Sequence, residues 1–119
     1  MSAIKRLHSG ARLSDASIHN GTVYLAGQVA GDASQDVGGQ TRQVLAAIDK
    51  LLGEAGSDKS RILMAQIFLA DMADFAAMND VWDAWVAADD KPCRATVHSR
   101  LARPEWRIEI VVTAALEKG

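Results

Sequence analysis

Two charged side chains in the last quarter of the chain, Arg94 and Glu109, have the clearest capacity for chemistry. The planar guanidinium of an arginine can hold a carboxylate through two parallel hydrogen bonds, as a binder of amino-acid-derived molecules requires. Glu109 stands alone between two isoleucines, and a positioned carboxylate can mediate proton transfer. Both residues also have a plainer interpretation. Arg94 can neutralise a neighbouring acid on an exposed strand, and Glu109 can be a charge that discourages aggregation of the sheet.

Both residues lie in runs typical of β-strands, 92–98 and 107–112, where apolar and β-branched residues alternate with polar ones. A short connection that contains a proline separates the runs, which predicts that they pair directly as a long hairpin. In the second run the even-numbered residues form an all-apolar face, which must point at a core. We therefore predict that Arg94 and Glu109 lie together on the opposite face, free to do chemistry.

The elements that must position these strands are predicted from turn residues and periodicity. Asn20-Gly21 between two short apolar runs predicts a hairpin turn. Apolar residues at helical spacing predict one helix over 37–52, ended by a glycine, and a second over 73–86. The segment Ile62–Leu69 between them is typical of a strand. The order β-β-α-β-α-β-β predicts an α+β fold in which both helices pack on one face of a single mixed sheet.

The predicted strand Ile62–Leu69 is apolar on both of its faces. Two helices can cover only one face of a sheet, so one apolar set remains uncovered in a single copy. An uncovered apolar sheet face usually marks an interface, which predicts an oligomer. The two sets, by parity, are Leu63, Ala65, Ile67 and Leu69 on one side and Ile62, Met64 and Phe68 on the other.

Length, charge and cysteine content exclude several classes of function. The 119 residues are typical of one globular domain, 1–119. Their net charge of −2, with no block of Lys or Arg, gives no electrostatic support for binding nucleic acid or an anionic membrane. The single cysteine, Cys93, excludes an internal disulfide, and with only three histidines a Cys/His zinc site is disfavoured. No apolar run has the length of a signal peptide or a membrane span, so the cytoplasm is the expected location.

A further indication comes from the motif Pro92-x-Arg94-x-x-Val97 entering a strand, followed by Ile108-Glu109-Ile110. This pair of motifs resembles the signature of the RidA (YjgF-type) family of imine deaminases. The likeness covers nearly the whole chain in order and is closest to a divergent branch of that family. It includes the segments 23–29 and 67–75, and the branch is marked by Arg12-x-Ser14 and Trp82-x-x-Trp85.

The resemblance implies a chorismate-mutase-like fold that assembles as a homotrimer with its sites in clefts between subunits. It also implies hydrolysis of reactive 2-enamines and 2-imines derived from amino acids to 2-keto acids and ammonia, with no metal or other cofactor. Arg94 then matches the arginine that binds the substrate carboxylate, and Glu109 matches the glutamate that holds the attacking water. The alternatives are a non-catalytic trimer that binds a small carboxylate for regulation or sensing, and a chaperone-like protein with vestigial clefts.

Five more residues fall where the family has site residues. Gly27 matches backbone that lies near the ligand, and Ala26 takes the place of a serine often found there. Thr96 replaces the cysteine of the commonest members, which preserves a backbone contact but not a thiol. Arg12 and Ser14 stand near the position of a family tyrosine that this chain lacks.

Four other residues are expected to be structural. His98 follows Arg94 at even spacing on the same strand, but a lone histidine on a strand is usually structural. Cys93 has the opposite parity and is expected to be a buried thiol. Trp82 and Trp85, three residues apart on an apolar helix face, are typical of a core.

Overall fold

The site residues are carried by a six-stranded mixed sheet in the structure, a computed structural model that describes residues 3–117. The strands lie in the spatial order β1-β2-β3-β6-β4-β5, where β4 and β5 run parallel and all other neighbours run antiparallel. The order of elements predicted from the sequence has five strands. The structure adds a sixth, β1, which is three residues long and lies at the edge of the sheet. In chain order the strands are β1 (Lys5–Leu7), β2 (Ala16–His19), β3 (Thr22–Leu25), β4 (Ile62–Leu69), β5 (Cys93–His98) and β6 (Ile108–Ala115).

Two helices within residues 3–117 connect the strands, α1 (Val37–Ala55) and α2 (Phe75–Trp85). Helix α1 begins after Asp36, whose side chain accepts a hydrogen bond from the amide of Gly39, and ends at Gly56 with φ of 89°. A glycine at that position satisfies the last carbonyls of a helix without steric cost, so the predicted glycine cap is confirmed. Short 3-10 turns precede β4 and α2.

The predicted turn at Asn20-Gly21 joins β2 to β3. Both residues have positive φ, 51° for Asn20 and 79° for Gly21. Tight two-residue hairpin turns need this conformation at both central positions, and Asn-Gly adopts it at low cost. The hairpin prediction is confirmed.

The core lies between the two helices and one face of the sheet. The strands contribute alternate residues to it, as the period of two predicts. Helix α1 contributes a stripe that includes Val44, Ile48 and Leu52, and α2 contributes Met78 and Trp82. The prediction that both helices cover one sheet face is therefore confirmed. The buried strand residues are Ala16, Ile18, Val23, Leu25, Ile62, Ala65, Ile67, Leu69, Ile108, Ile110, Val112 and Ala114.

The predicted direct hairpin between the last two strands is wrong, because β4 lies between β5 and β6. β4 pairs with β5 in parallel, and the chain returns from one strand to the other through α2. Parallel neighbours require such a crossover, and here it forms a β-α-β unit. The connection between β5 and β6 then passes over the end of β4 rather than making a tight turn.

A β-bulge in β4 corrects the predicted faces of that strand. Ile62 pairs with Ala114 and Met64 pairs with Thr113, so the ladder shifts by one residue at Leu63. Ile62 therefore joins Ala65 on the core face, although their parity differs. Leu63 points outward with 51% of its surface exposed, against the prediction that it shares the face of Ala65.

One buried polar side chain joins α1 to the loop that leads into β6. Gln40 is fully buried, and its amide nitrogen donates to the carbonyls of Ala33, Gln35 and Glu105 at 3.0 to 3.2 Å. Its carbonyl oxygen accepts from the amide of Arg107 at 2.9 Å. This side chain satisfies backbone groups that would otherwise be buried without partners, and it fixes where β6 begins.

Replacing Gln40 with alanine should lower the free energy of unfolding by about 2–4 kcal/mol, because buried backbone groups would lose their partners. The measurement is urea denaturation of both proteins at one protein concentration. Gln43→Ala is the matched control, since the Gln43 amide bonds only the backbone of Asp32 at the surface. It should cost about 1 kcal/mol or less. Equal losses for the two variants would contradict the role given to Gln40.

Candidate functional site

Glu109 lies on the sheet face that the helices do not cover. It pairs with Phe68 across β4 and β6, and it is half-buried. No described residue forms an ion pair or hydrogen bond with its carboxylate. The helix-free surface of the sheet, which we call the open face, therefore presents an acid whose oxygens are available to a ligand.

Gly27 makes room for the Glu109 side chain. The neighbouring Gln28 exchanges two backbone hydrogen bonds with Ile110, at 2.9 and 3.1 Å, which holds residue 27 beside β6. A Cβ atom at Gly27 would overlap Oε2 of Glu109. Glycine is thus the residue that allows the carboxylate to rest against the backbone.

The loop that carries Arg12 and Ser14 is joined by a backbone hydrogen bond to the segment that follows β3. The carbonyl of Asp15 accepts a hydrogen bond from the amide of Ala26 at 2.9 Å. Ser14 is half-buried and its hydroxyl lies 2.8 Å from that of Ser9, whereas Arg12 is exposed. Of the predicted site residues, the fold thus brings Gly27 to Glu109, and it joins the Arg12 loop to Ala26, the residue before Gly27.

A cleft of about 230 Å³ opens beside Glu109 on this side of the sheet. It lies under the segment that follows β5 and has a mixed lining of apolar and polar groups. Sequence reasoning missed this segment and Phe68 as site residues. The available signals were the parity of Phe68, opposite to that of Ile67 and Leu69, and an arginine two residues after the strand of Arg94. The lining residues are Phe68, Ser99, Arg100, Leu101, Ala102 and Glu109.

Arg94 and Thr96 lie on the other face, against the helix layer. Arg94 pairs with Ala65 and Thr96 with Ile67, both core residues of β4. The Arg94 guanidinium carbon lies 5.3 Å from the centroid of the Trp82 ring in α2. Within residues 3–117, no acid forms an ion pair with Arg94, and the buried hydroxyl of Thr96 has no hydrogen-bond partner.

The prediction that Arg94 and Glu109 share one face within a chain is therefore wrong. Through β4, Arg94 aligns with the core face, while Glu109 aligns with Phe68 and Val97 on the open face. Two strand spacings, roughly 10 Å, also separate β5 from β6. The error follows from the predicted hairpin, which omitted the intervening strand. Each chain carries the two charged groups on two distinct surfaces.

The remaining candidates divide between structural and exposed positions. The ring nitrogen Nε2 of His98 bonds the carbonyl of Ala70 at 3.1 Å, beyond the end of β4. Cys93 is exposed on the open face, where it pairs with Met64, so its predicted burial is wrong for a single copy. Trp82 is buried and Trp85 half-buried between the helices, which confirms their expected core positions.

Neither a metal centre nor a membrane span is found in the described part of the chain. Over residues 3–117, no group of three or more His, Cys, Asp or Glu side chains converges as metal ligands would. In the same range, each helix is too short or too polar to cross a bilayer.

Comparison with known proteins identifies the family of this chain. Residues 3–116 match the family model described as Endoribonuclease L-PSP. A RutC family protein of Haemophilus ducreyi is 51% identical over 113 residues, which span 95% of this chain and 97% of that protein. A RutC family protein of Haemophilus influenzae is 53% identical over 112 residues, covering 93% and 97%.

Solved structures of similar proteins lead to the same family. A member of the YjgF protein family from Neisseria meningitidis superposes with a TM-score of 0.96 at 48% identity, covering 98% of each chain. The chain belongs to the RidA/YjgF family. The RidA/YjgF resemblance seen in its motifs is confirmed, and so is the predicted chorismate-mutase-like fold.

The close approach in this RidA/YjgF protein between Gly27 and Glu109 can be tested directly. Gly27→Ala should displace the Glu109 carboxylate while changing the free energy of unfolding by less than about 1 kcal/mol, because the clash involves the far end of a flexible side chain. A crystal structure of the variant would measure the displacement. Gly31→Ala is the control, since its Cβ would meet nothing within 4 Å. An unmoved carboxylate in Gly27→Ala would contradict this account.

Proposed function

We propose that this protein hydrolyses reactive 2-enamines and 2-imines derived from amino acids to 2-keto acids and ammonia. The observation that carries the proposal is a carboxylate, Glu109, that rests against Gly27 beside a cleft and has no cationic partner among the described residues. A carboxylate with only a structural role is usually held by an ion pair, and Glu109 forms none among the described residues, even with Arg100 in the lining of the same cleft. Membership of the RidA/YjgF family supports the same conclusion.

Arg94 supplies the binding half of the reaction. Its guanidinium is paired with no acid in residues 3–117, so its hydrogen-bond donors are available to a ligand. A carboxylate held by two parallel hydrogen bonds fixes the orientation of the adjacent imine carbon. Thr96, two residues along β5, offers a buried hydroxyl that also lacks a partner.

Glu109 supplies the proton-transfer half. Water adds to the carbon of the C=N bond, and the carboxylate accepts a proton from that water as the new C–O bond forms. The carboxyl group returns this proton to nitrogen, which gives a carbinolamine. The carboxylate then takes the proton of the new hydroxyl and passes it to the amino nitrogen as the C=O bond forms, the C–N bond breaks and ammonia leaves a 2-keto acid. An imine carbon is already electrophilic, so no stronger catalyst is required. The apolar side chains of Phe68, Leu101 and Ala102 in the cleft favour substrates with a small apolar side chain.

The two halves can meet only between copies of the chain, because Arg94 and Glu109 lie on opposite faces of one sheet. We therefore propose a homotrimer in which each site joins Arg94 of one subunit to Glu109 of another. The open face supports this assembly, since its apolar side chains are left uncovered in one copy. Its most exposed members are Tyr24 at 52%, Leu63 at 51% and Val97 at 45%.

Two other functions are less well supported. The matching family model is described as an endoribonuclease, but a net charge of −2 without a basic block does not favour an RNA substrate. A regulatory trimer that binds a small carboxylate would need Arg94 alone. The placement of Glu109 beside a cleft favours catalysis over binding without turnover.

Substitution of Glu109 separates catalysis from binding. Glu109→Gln should reduce imine hydrolysis by roughly 100-fold or more, because the amide keeps the shape but cannot accept a proton. Binding of a 2-keto acid should persist in this variant. Arg94→Ala should lose both binding and turnover, and Arg94→Lys should be nearly as damaging, because an ammonium cannot make the two-pronged contact.

The assay generates imines in situ with an amino-acid oxidase and compares keto-acid release with and without the protein. Calorimetric titration with a 2-keto acid gives the binding affinity. Wild-type rates in Glu109→Gln across several imines would defeat the enzymatic role of Glu109. Retained keto-acid binding would then favour the regulatory alternative.

Mixing two inactive variants tests the site between subunits. Trimers formed from equal amounts of Arg94→Ala and Glu109→Gln should recover about a quarter of the wild-type activity, since that fraction of randomly assembled sites keeps both groups. Refolding the two variants together and sedimenting the product would provide the mixed trimers. A mixture of Arg94→Ala with the Arg94→Ala/Glu109→Gln double variant is the control and should recover nothing. Activity no higher than that of the parent variants, or a stable monomer, would contradict the shared site.

A further inference from the structure

We propose that Trp82 is a positioning residue for Arg94, acting as a rigid aromatic surface that holds the guanidinium ready for a substrate carboxylate. This inference rests on the proposed function, because it concerns the same carboxylate-binding arginine. It assigns a role in ligand binding to a tryptophan that its position in the helix would otherwise explain as core packing.

The contact itself has the geometry of a cation–π interaction. The guanidinium carbon of Arg94 lies over the Trp82 ring, 5.3 Å from its centroid. Tryptophan is the strongest aromatic partner for a cation, and the attraction is larger where water is excluded. Trp82 has only 6% of its surface exposed, so this side of the guanidinium faces a dry ring. A guanidinium has five N–H donors, so those not directed at the ring remain for a carboxylate.

Trp82 is in turn held by a second tryptophan. The rings of Trp82 and Trp85 lie 5.4 Å apart, tilted by 51°. The indole N–H of Trp85 donates to Asp49 of α1 at 2.9 Å. The ammonium of Lys59 lies 5.3 Å from the centroid of the Trp85 ring and also donates to the Trp85 carbonyl at 2.6 Å. These contacts limit rotation of both rings, so the surface beneath Arg94 is fixed before any ligand arrives.

A fixed surface matters because no acid among the described residues pairs with Arg94. An unpaired arginine has many rotamers, and a ligand must restrict them at a cost in affinity. The cation–π contact with Trp82 restricts them in the free protein, which lowers the cost of binding. Loss of the ring should therefore weaken carboxylate binding while leaving the proton transfer by Glu109 intact.

The test compares Trp82→Met with wild type. Methionine fills much of the space with a flexible apolar chain but offers no ring. We expect the KM for a carboxylated imine and the Kd for 2-oxobutanoate to rise roughly tenfold, the loss expected for a partly desolvated cation–π contact. The value of kcat should change less than about twofold. Trp82→Phe should restore part of the affinity, because phenylalanine is a weaker cation–π partner.

Trp85→Met is the matched control. It removes the aromatic residue that supports Trp82 but forms no cation–π contact with Arg94, so its effect on Kd should be indirect and smaller. Thermal unfolding of each variant gives its loss of stability. At equal stability, a purely structural role predicts equal effects of Trp82→Met and Trp85→Met on Kd. The positioning role predicts that Trp82→Met raises Kd several times more. Should Trp82→Met fail to fold, Trp82→Phe carries the test, with an expected rise in KM and Kd of roughly twofold to fivefold.

The outcomes separate this inference from the proposed function. A wild-type protein that binds 2-oxobutanoate in a Trp82-dependent manner but does not accelerate imine hydrolysis keeps the inference and overturns the proposed function. Normal hydrolysis with unchanged KM and Kd in the folded Trp82 variants keeps the proposed function and overturns the inference. A wild-type protein that binds no 2-oxobutanoate at millimolar concentration overturns the inference, because Arg94 would then have no carboxylate to receive.

Discussion

The position of β4 between β5 and β6 is the constraint on which the rest of the site depends. Its parallel pairing with β5 aligns Arg94 with the core, and its antiparallel pairing with β6 aligns Glu109 with the open face. Side chains alternate between faces along a strand, so a shift of one residue in either pairing would exchange these surfaces. The hydrophobic core opposes a shift between β4 and β6, because Ala65, Ile67 and Leu69 would then leave the interior. The packing that stabilises the fold thus also keeps the two charged groups apart.

Most local elements could be predicted from the sequence because their signals lie within a few residues. The Asn20-Gly21 turn, the α1 stripe and the Gly56 cap each follow from local conformational preference or from spacing along one element. Strand pairing is different, since the partner of β5 is chosen by packing between distant segments. The bulge at Leu63 also depends on pairing between distant segments. Leu63 has the parity of the core residues, and only the register of β4 against β6 turns its side chain outward.

The features of the site also divide into those that the sequence could predict and those that it could not. Residue type and motif were sufficient to select Arg94 and Glu109, because bidentate binding and proton transfer each require a particular functional group. Their relative placement could not be predicted, since it depends on three strands that are distant in sequence. The contact of Arg94 with Trp82 was also missed, because both residues have ordinary explanations until α2 is placed over β5. Phe68 and Leu101 become site residues only when the chain after β5 crosses the end of β4.

The central place of β6 has a consequence for how the chain is made. β6 is the last strand of the described chain, yet it lies between β3 and β4 and contributes much of the core. During synthesis, the first hairpin and the β-α-β unit emerge from the ribosome well before the strand that joins them. Until residues 108–115 emerge, β3 and β4 present unpaired edges and the helices an uncovered apolar stripe, the kind of surface that recruits chaperones. The sheet can close only after residues 108–115 have been made, so a message truncated before these codons would yield no partial fold of comparable stability.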